Sequence, residues 1–380
     1  MRLAVQPAAM NGSWKLGRLF GIDIFVHATF VLLLGWIAVS AYLREHTAQA
    51  VLGGVLFIMA IFGTVVLHEL GHSLMARRFG IRTRDITLLP IGGVARLERM
   101  PEKPGEELLV ALAGPLVNVV IALALFAVLS ATGQAIMLVD PSSTESSPIA
   151  VRLFWVNVSL AIFNLIPAFP MDGGRALRAV LALGSDYIRA TRVAAKLGRG
   201  IAVVLGLVGL LYNPMLVLVA LFVWTGAGAE AAGVETKASL HGLPTYTAME
   251  TQFASLHAHD TLHTAAHKLL GGAQVDFPVV DPNGTVVGLL TRHALIAGLA
   301  QKGPDGSVES TMERQFPVAH PAEMLEVALA RLTESSSKSM PVVADGRLVG
   351  MLTADNIAEF LMVRDAIGAG RRRHALHFAA

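Results

Sequence analysis

No cysteine occurs among the 380 residues. Disulfides and thiolate metal sites are therefore excluded, and any metal must be held by His, Asp or Glu. Charge is scarce as well. Asp, Glu, Lys and Arg make up 15% of the chain, against about 25% in an ordinary soluble domain. A net charge of +2 is too small to suggest a nucleic-acid partner. A cleaved signal peptide is not expected either: the first long apolar run begins near Phe25, with no small-residue cleavage site in a convincing place. What the chain has instead is apolar residues, 54% of the total, a membrane-type balance, over a length that suggests two or more domains.

The apolar residues concentrate in the first 230 positions. Uncharged runs cover His27–Leu43, Ala48–Leu67, Leu108–Val139, Leu153–Met171 (broken by Pro167 and Pro170) and Gly200–Ala229 (interrupted at Asn213-Pro214). A membrane-spanning helix needs about 20 apolar residues. The last run, extended back over the amphipathic stretch Ala190–Arg199, reads as a hairpin of two helices, so about six spans are expected. Lys15 and Arg18 precede the first span. Arg77, Arg78, Arg82 and Arg84 follow the second, and Arg175, Arg178, Arg189 and Arg192 follow the fourth. The loop Asp140–Pro148 carries Asp140 and Glu145 but no Lys or Arg. The positive-inside rule then puts both termini in the cytoplasm of a multi-pass cell-membrane protein surrounded by the lipid bilayer.

After Glu230 the composition becomes that of a soluble domain. Phe277–Asp281 leading to Gly288–Thr291 resembles Met340–Asp345 leading to Gly350–Thr353. Each copy reads as strand, turn, strand and a Thr-capped helix, preceded by a helix over Thr261–Leu270 or Ala322–Thr333. The period is about sixty residues, one small α/β unit per copy. The expected organisation is a transmembrane domain over 1–232, a linker over 233–243, the repeats over 244–365 and a flexible basic tail over 366–380.

The chemistry-bearing motif is His68-Glu69-Leu70-Gly71-His72. On a helix, residues four apart share a face, so both imidazoles can reach one metal while Glu69 reaches a water upon it. The motif ends an apolar run, where ionisable groups are costly and usually functional. A catalytic zinc needs a third protein ligand and an open fourth position. The candidate is Asp172, inside the segment Asn164–Gly174, whose two prolines and two glycines break a membrane helix. Irregular backbone survives at that depth only where it is buried in protein or lines a wet cavity. The plain alternative is an Asp that caps a following helix over Gly174–Leu183.

Three ordered motifs resemble those of the site-2 proteases: His68–His72, Gly114-Pro115-Leu116-Val117-Asn118, and Asn164–Gly174. Phe20–His27 and Pro90–Leu97 are also similar to that family, and the likeness covers roughly residues 17–230. The resemblance implies a polytopic α-helical membrane domain that cleaves transmembrane segments of single-span membrane proteins. It implies one zinc ion (Zn2+) per subunit, held by His68, His72 and Asp172, with Glu69 activating water. Asn118 and Asn164, polar within apolar runs, are candidates for holding the oxyanion or substrate backbone, or for binding neighbouring helices. Pro90–Leu97, with Gly92 and Gly93, resembles a hairpin near the active site whose free strand edge pairs with unwound substrate.

The tail resembles a tandem pair of cystathionine-beta-synthase-type (CBS) domains. The ribose-binding pattern of such pairs has an Asp three residues after the Thr. Here Ala294 follows Thr291 and Asn356 follows Thr353 at that spacing. The departure argues against adenine-nucleotide binding; homodimerisation, substrate recognition and ligand sensing stay open as roles. The rival reading is a transporter or channel gated by that pair, which leaves the HExxH motif and the distant Asp-Gly-Gly unexplained.

Overall fold

The computed structural model describes residues 12–90, 92–101, 103–133, 148–335 and 337–377. The chain divides into two compact units, 1–234 and 235–380. All of the loop Asp140–Pro148 except Pro148 lies outside the described residues.

In the first unit, strands β1 (Ser13–Leu19) and β2 (Ile22–His27) form a hairpin that leads into helix α1 (Ala28–Glu45). Helix α2 (Ala48–Arg78) follows, capped by Thr47, whose hydroxyl accepts from the Ala50 N–H. Its 31 residues span about 46 Å, longer than a hydrocarbon core of about 30 Å. The His68–His72 motif therefore lies inside the helix, with Arg77 and Arg78 on its last turn. Strands β3 (Thr83–Leu89) and β4 (Gly92–Leu97) complete a four-stranded sheet in the order β1-β2-β3-β4, with β2 and β3 parallel. Arg96 donates to both carboxylate oxygens of Asp85 across the β3–β4 pair, at 2.8 and 2.5 Å. The far edge of β4 has no strand partner among the described residues.

Helices α3 (Pro104–Ala131), α4 (Ile149–Asn164), α5 (Asp172–Ala182), α6 (Tyr187–Tyr212) and α7 (Pro214–Leu240) follow. Among the described residues, five helices (α1, α2, α3, α6 and α7) are long and apolar enough to cross a membrane, and α4 is a shorter apolar helix of 16 residues. Pro167 and Pro170 end α4 early, because proline cannot continue the helical hydrogen bonding. The α6–α7 hairpin turns at Asn213, whose Oδ1 accepts from the Met215 N–H. Solvation is inverted relative to a soluble domain: Trp36, Leu210 and Leu211 are exposed, whereas His68, Asn118, Asn157, Glu107 and Arg178 are buried. Lipid accepts apolar surface, so polar groups retreat inward, where they find partners.

Arg178, fully buried, ties α5 to its neighbours. Its guanidinium donates to Glu107 on α3 and, at 2.6 Å, to Glu230 on α7. The rings of Phe169 and Tyr187 lie 5.1 and 4.9 Å from it.

The second unit contains two α/β repeats. The first has β5 (Leu256–His257), α8 (Leu262–Gly271), β6 (Phe277–Val280), β7 (Val286–Leu290) and α9 (Arg292–Lys302). The second has α10 (Leu325–Glu334), β8 (Ser339–Ala344), β9 (Arg347–Thr353) and α11 (Ala354–His377). Leu256, Leu262, Phe277, Leu290 and Leu295 form one core, and Leu325, Met340, Val342, Leu352 and Ile357 the other. Asp276 joins the repeats: it accepts from the Arg292 N–H and, at 2.8 Å, from the Ser339 hydroxyl.

Two segments expected as a linker and a flexible tail are helical. Residues 233–240, expected as linker, are the last turns of α7, because no proline intervenes before Pro244 and Leu240 is buried in the second core. Residues 366–377, expected as a flexible tail, continue α11, a run without proline.

Candidate metal centre

Three buried side chains converge. His68 and His72 project from one face of α2, and Asp172 from the first residue of α5. Nε2 of His72 lies 3.1 Å from Nε2 of His68 and 3.1 Å from Oδ2 of Asp172, and the third side of the triangle is 3.2 Å. A tetrahedral zinc with ligand atoms at about 2.0–2.1 Å keeps them about 3.3 Å apart. Two imidazoles and a carboxylate are also a donor set that zinc takes in catalytic sites, so the residues fit that ion. Met171 is the N-cap of α5, and the Asp172 carboxylate, in the first turn, is directed to the two imidazoles.

The surrounding hydrogen bonds orient both rings. The Leu153 carbonyl can only accept, so Asn157 directs its Nδ2 there, at 2.9 Å, and turns its Oδ1 to Asn118. Asn118 then donates through Nδ2, at 2.9 Å, and presents Oδ1 to Nδ1 of His68 at 2.5 Å. His68 must therefore carry its proton on Nδ1, leaving the Nε2 lone pair toward Asp172. The Val110 carbonyl, 2.7 Å from Nδ1 of His72, does the same for the second ring. Such partners set tautomer and ligand basicity.

Glycines allow the close approach. A Cβ on Gly114 would lie 2.1 Å from Nε2 of His72. One on Gly71 would lie 2.8 Å from the Ala113 carbonyl, so α2 and α3 meet at backbone contact. One on Gly173 would lie 2.3 Å from the Ile166 carbonyl, which explains how the broken segment folds back on α5.

Glu69 and the triad line a cavity of about 690 Å³, together with Gly92 and Gly93 of β4, Asn164 at the end of α4, and Phe222 of α7. A second, smaller cavity of about 40 Å³ connects Glu69 and His72 with Glu107 and Arg175. Among the sequence candidates, His68, Glu69, His72, Asp172, Asn118, Asn164, Gly92 and Gly93 are thus brought together around one cavity. Asn118 sits fully buried behind His68, engaged through both ends of its amide. Sequence reasoning missed Asn157, Val110, Arg175 and the Glu107–Arg178–Glu230 network. Asn157 and Glu107 were detectable as polar residues in or beside apolar runs, the signal that drew attention to Asn118.

The model of the peptidase family M50 matches residues 56–137 and 134–207. The zinc metalloprotease MJ0392 of Methanocaldococcus jannaschii is 33% identical over 355 residues, covering 93% of this chain and 97% of that one. The chain belongs to the M50 peptidases, the site-2 protease family. A Synechocystis sp. protein, sll0528, is 28% identical over 386 residues, covering 96% of this chain and all of that one. The solved structure of a site-2 protease from Methanocaldococcus jannaschii shares 38% identity, covers 58% of this chain and 95% of that one, and has a TM-score of 0.42. CBS domain models match residues 246–301 and 307–363. This M50 peptidase is accordingly a zinc metalloendopeptidase of the membrane, an intramembrane protease by family, with a C-terminal CBS domain pair. The transporter reading is set aside.

Proposed function

We propose that His68, His72 and Asp172 hold the zinc ion, that Glu69 is the general base, and that the substrate is the transmembrane segment of a single-span protein. The observation that carries this reading is the buried triangle of three ligand atoms with Glu69 beside it on the cavity wall. When bound, zinc supplies Lewis acidity toward a carbonyl and acidifies water. The Glu69 carboxylate takes the proton that a water sheds as it attacks the scissile carbonyl. It then returns that proton to the departing amine nitrogen. The open edge of β4, at Gly92 and Gly93, pairs with the substrate backbone, which must be extended because a helical peptide bond is shielded. Asn164, whose side chain has no partner among the described residues, donates to a substrate carbonyl through Nδ2. Asn118 holds His68 in position.

Both termini and the arginine-rich segments after α2 and around α5 face the cytoplasm in this reading. The division of labour is protease to residue 232 and CBS pair from 244 to 365. That pair acts in dimerisation or substrate recognition, with no tight adenine-nucleotide site. The Thr291 hydroxyl caps α9 and donates to Glu313, and the Thr353 hydroxyl donates to Asn356, so neither repeat offers a carboxylate at the ribose position. A comparison of membrane proteomes from cells carrying the wild-type or the Glu69→Gln protein tests the function. Single-span proteins that accumulate uncut with the variant are expected; identical proteomes would contradict the reading.

A further inference from the structure

A groove of about 570 Å³ runs between α2 and α4, on the side of the catalytic cavity toward the α3–α4 connection. Its walls are Phe57 of α2 and Arg152, Trp155, Ser159, Leu160 and Phe163 of α4. Leu160 and Phe163 also line the catalytic cavity, so the two spaces adjoin and share these side chains. The α4 positions recur every three or four residues, from Arg152 through Trp155 and Ser159 to Phe163. One face of the helix therefore lines the whole path. Twelve residues at 1.5 Å each make that path about 18 Å long.

The groove is apolar except at its far end. There the Arg152 guanidinium lies 3.7 Å from the centre of the Phe57 ring and has no carboxylate partner among the described residues. Among the described residues it is the only charged side chain on the walls. The indole Nε1 of Trp155 is buried and without an acceptor. A cation and an unpaired donor at the end of an apolar trough favour an occupant that is apolar along its length and anionic at one end.

We propose that this groove is an exosite for the uncut part of the substrate's transmembrane segment, and that Arg152 selects an acidic residue in it. The inference rests on the catalytic reading above and names what that site accepts. The occupant is the substrate because the groove adjoins the cavity that holds Glu69 and the metal triad, sharing Leu160 and Phe163 with it. Chain leaving that cavity toward the α3–α4 end has this channel beside it. A segment that stays helical along α4 matches its rise, so the acidic residue lies about twelve residues from the scissile bond on that side.

The test uses the full-length chain in phosphatidylcholine liposomes, with single-span reporter proteins that differ only in having Glu, Gln or Lys at that position. The wild-type chain should cut the Glu reporter with kcat/KM about fivefold to tenfold above the Lys reporter, the size expected of a partly desolvated ion pair. Arg152→Glu should reverse the order, and Arg152→Ala should level it. Equal kcat/KM for all three reporters with the wild-type chain would overturn the proposal, and that comparison needs no variant to fold. A photocrosslinker at Ser159 in the Glu69→Gln chain gives a second readout. Adducts with the reporter support the exosite; adducts with phospholipid alone would make the groove a lipid site and overturn it. If Glu69→Gln still cuts the reporters, the catalytic reading fails instead, and the Arg152 preference is read from its own rates.

Discussion

A methyl group on Gly114 would lie 2.1 Å from Nε2 of His72, inside the space that a metal ion and its ligands require. Helix α3 comes this close to α2 because residue 114 has no side chain, and because Gly71 on the opposing helix has none either. Gly114→Ala should therefore push the His pair apart. The expected result is loss of most bound zinc, about tenfold or more in affinity, with the helical circular dichroism retained. Zinc per chain, measured by metal analysis of purified protein, checks it; full occupancy would contradict the packing argument.

Asn118 acts at one remove. Removing its amide leaves Nδ1 of His68 without an acceptor in a buried site and frees the ring to turn. Asn118→Ala should weaken zinc binding about 10- to 100-fold. Asn118→Asp, which still accepts at Oδ1, should retain more of it. Competition with a zinc chelator measures both, and equal loss in the two variants would point to packing rather than acceptance.

Several features of this site were legible before any coordinates. The i, i+4 spacing of His68 and His72 dictates a shared face once the segment is helical, and the Pro and Gly content of 164–174 dictates a break. The Asn213-Pro214 turn and the two CBS repeats follow from equally local patterns. The remainder depends on pairings between distant segments, which no local pattern encodes. The parallel β2–β3 pair joins residues separated by α1 and α2. Asn118 had two open readings, and only its position between His68 and Asn157 separates them. The Glu107–Arg178–Glu230 network draws on three helices. Helix ends erred where a composition change was taken for a structural boundary, as at 233–240.

Arg178, six residues after Asp172, holds α5 against α3 and α7. Arg178→Ala would leave the Glu107 carboxylate buried without its cation. The expected cost is about 3–5 kcal/mol, read as a lower unfolding temperature in detergent. Arg178→Lys should rescue only part of it, since an ammonium cannot reproduce the planar fork that reaches both glutamates. An unchanged melting temperature in the alanine variant would remove this network from the account.

Adenine nucleotides should not bind the CBS pair tightly. Position 294 is an alanine, and the Asn356 side chain accepts from Thr353 at 2.6 Å. Calorimetry with ATP and AMP on the full-length chain is expected to give no submicromolar site. A tight site would mean that ribose is held by groups other than the residue three after each threonine.

The central claim is that Glu69 moves the proton while His68, His72 and Asp172 hold the metal. Glu69→Gln keeps the size of the side chain and leaves all three ligands intact, but an amide cannot take a proton from water. The decisive measurement is turnover of a single-span reporter by purified Glu69→Gln protein whose zinc content has been determined on the same sample. One zinc per chain with cleavage reduced by about a thousandfold or more is the predicted result. Cleavage near the wild-type rate by the zinc-loaded variant would contradict the account.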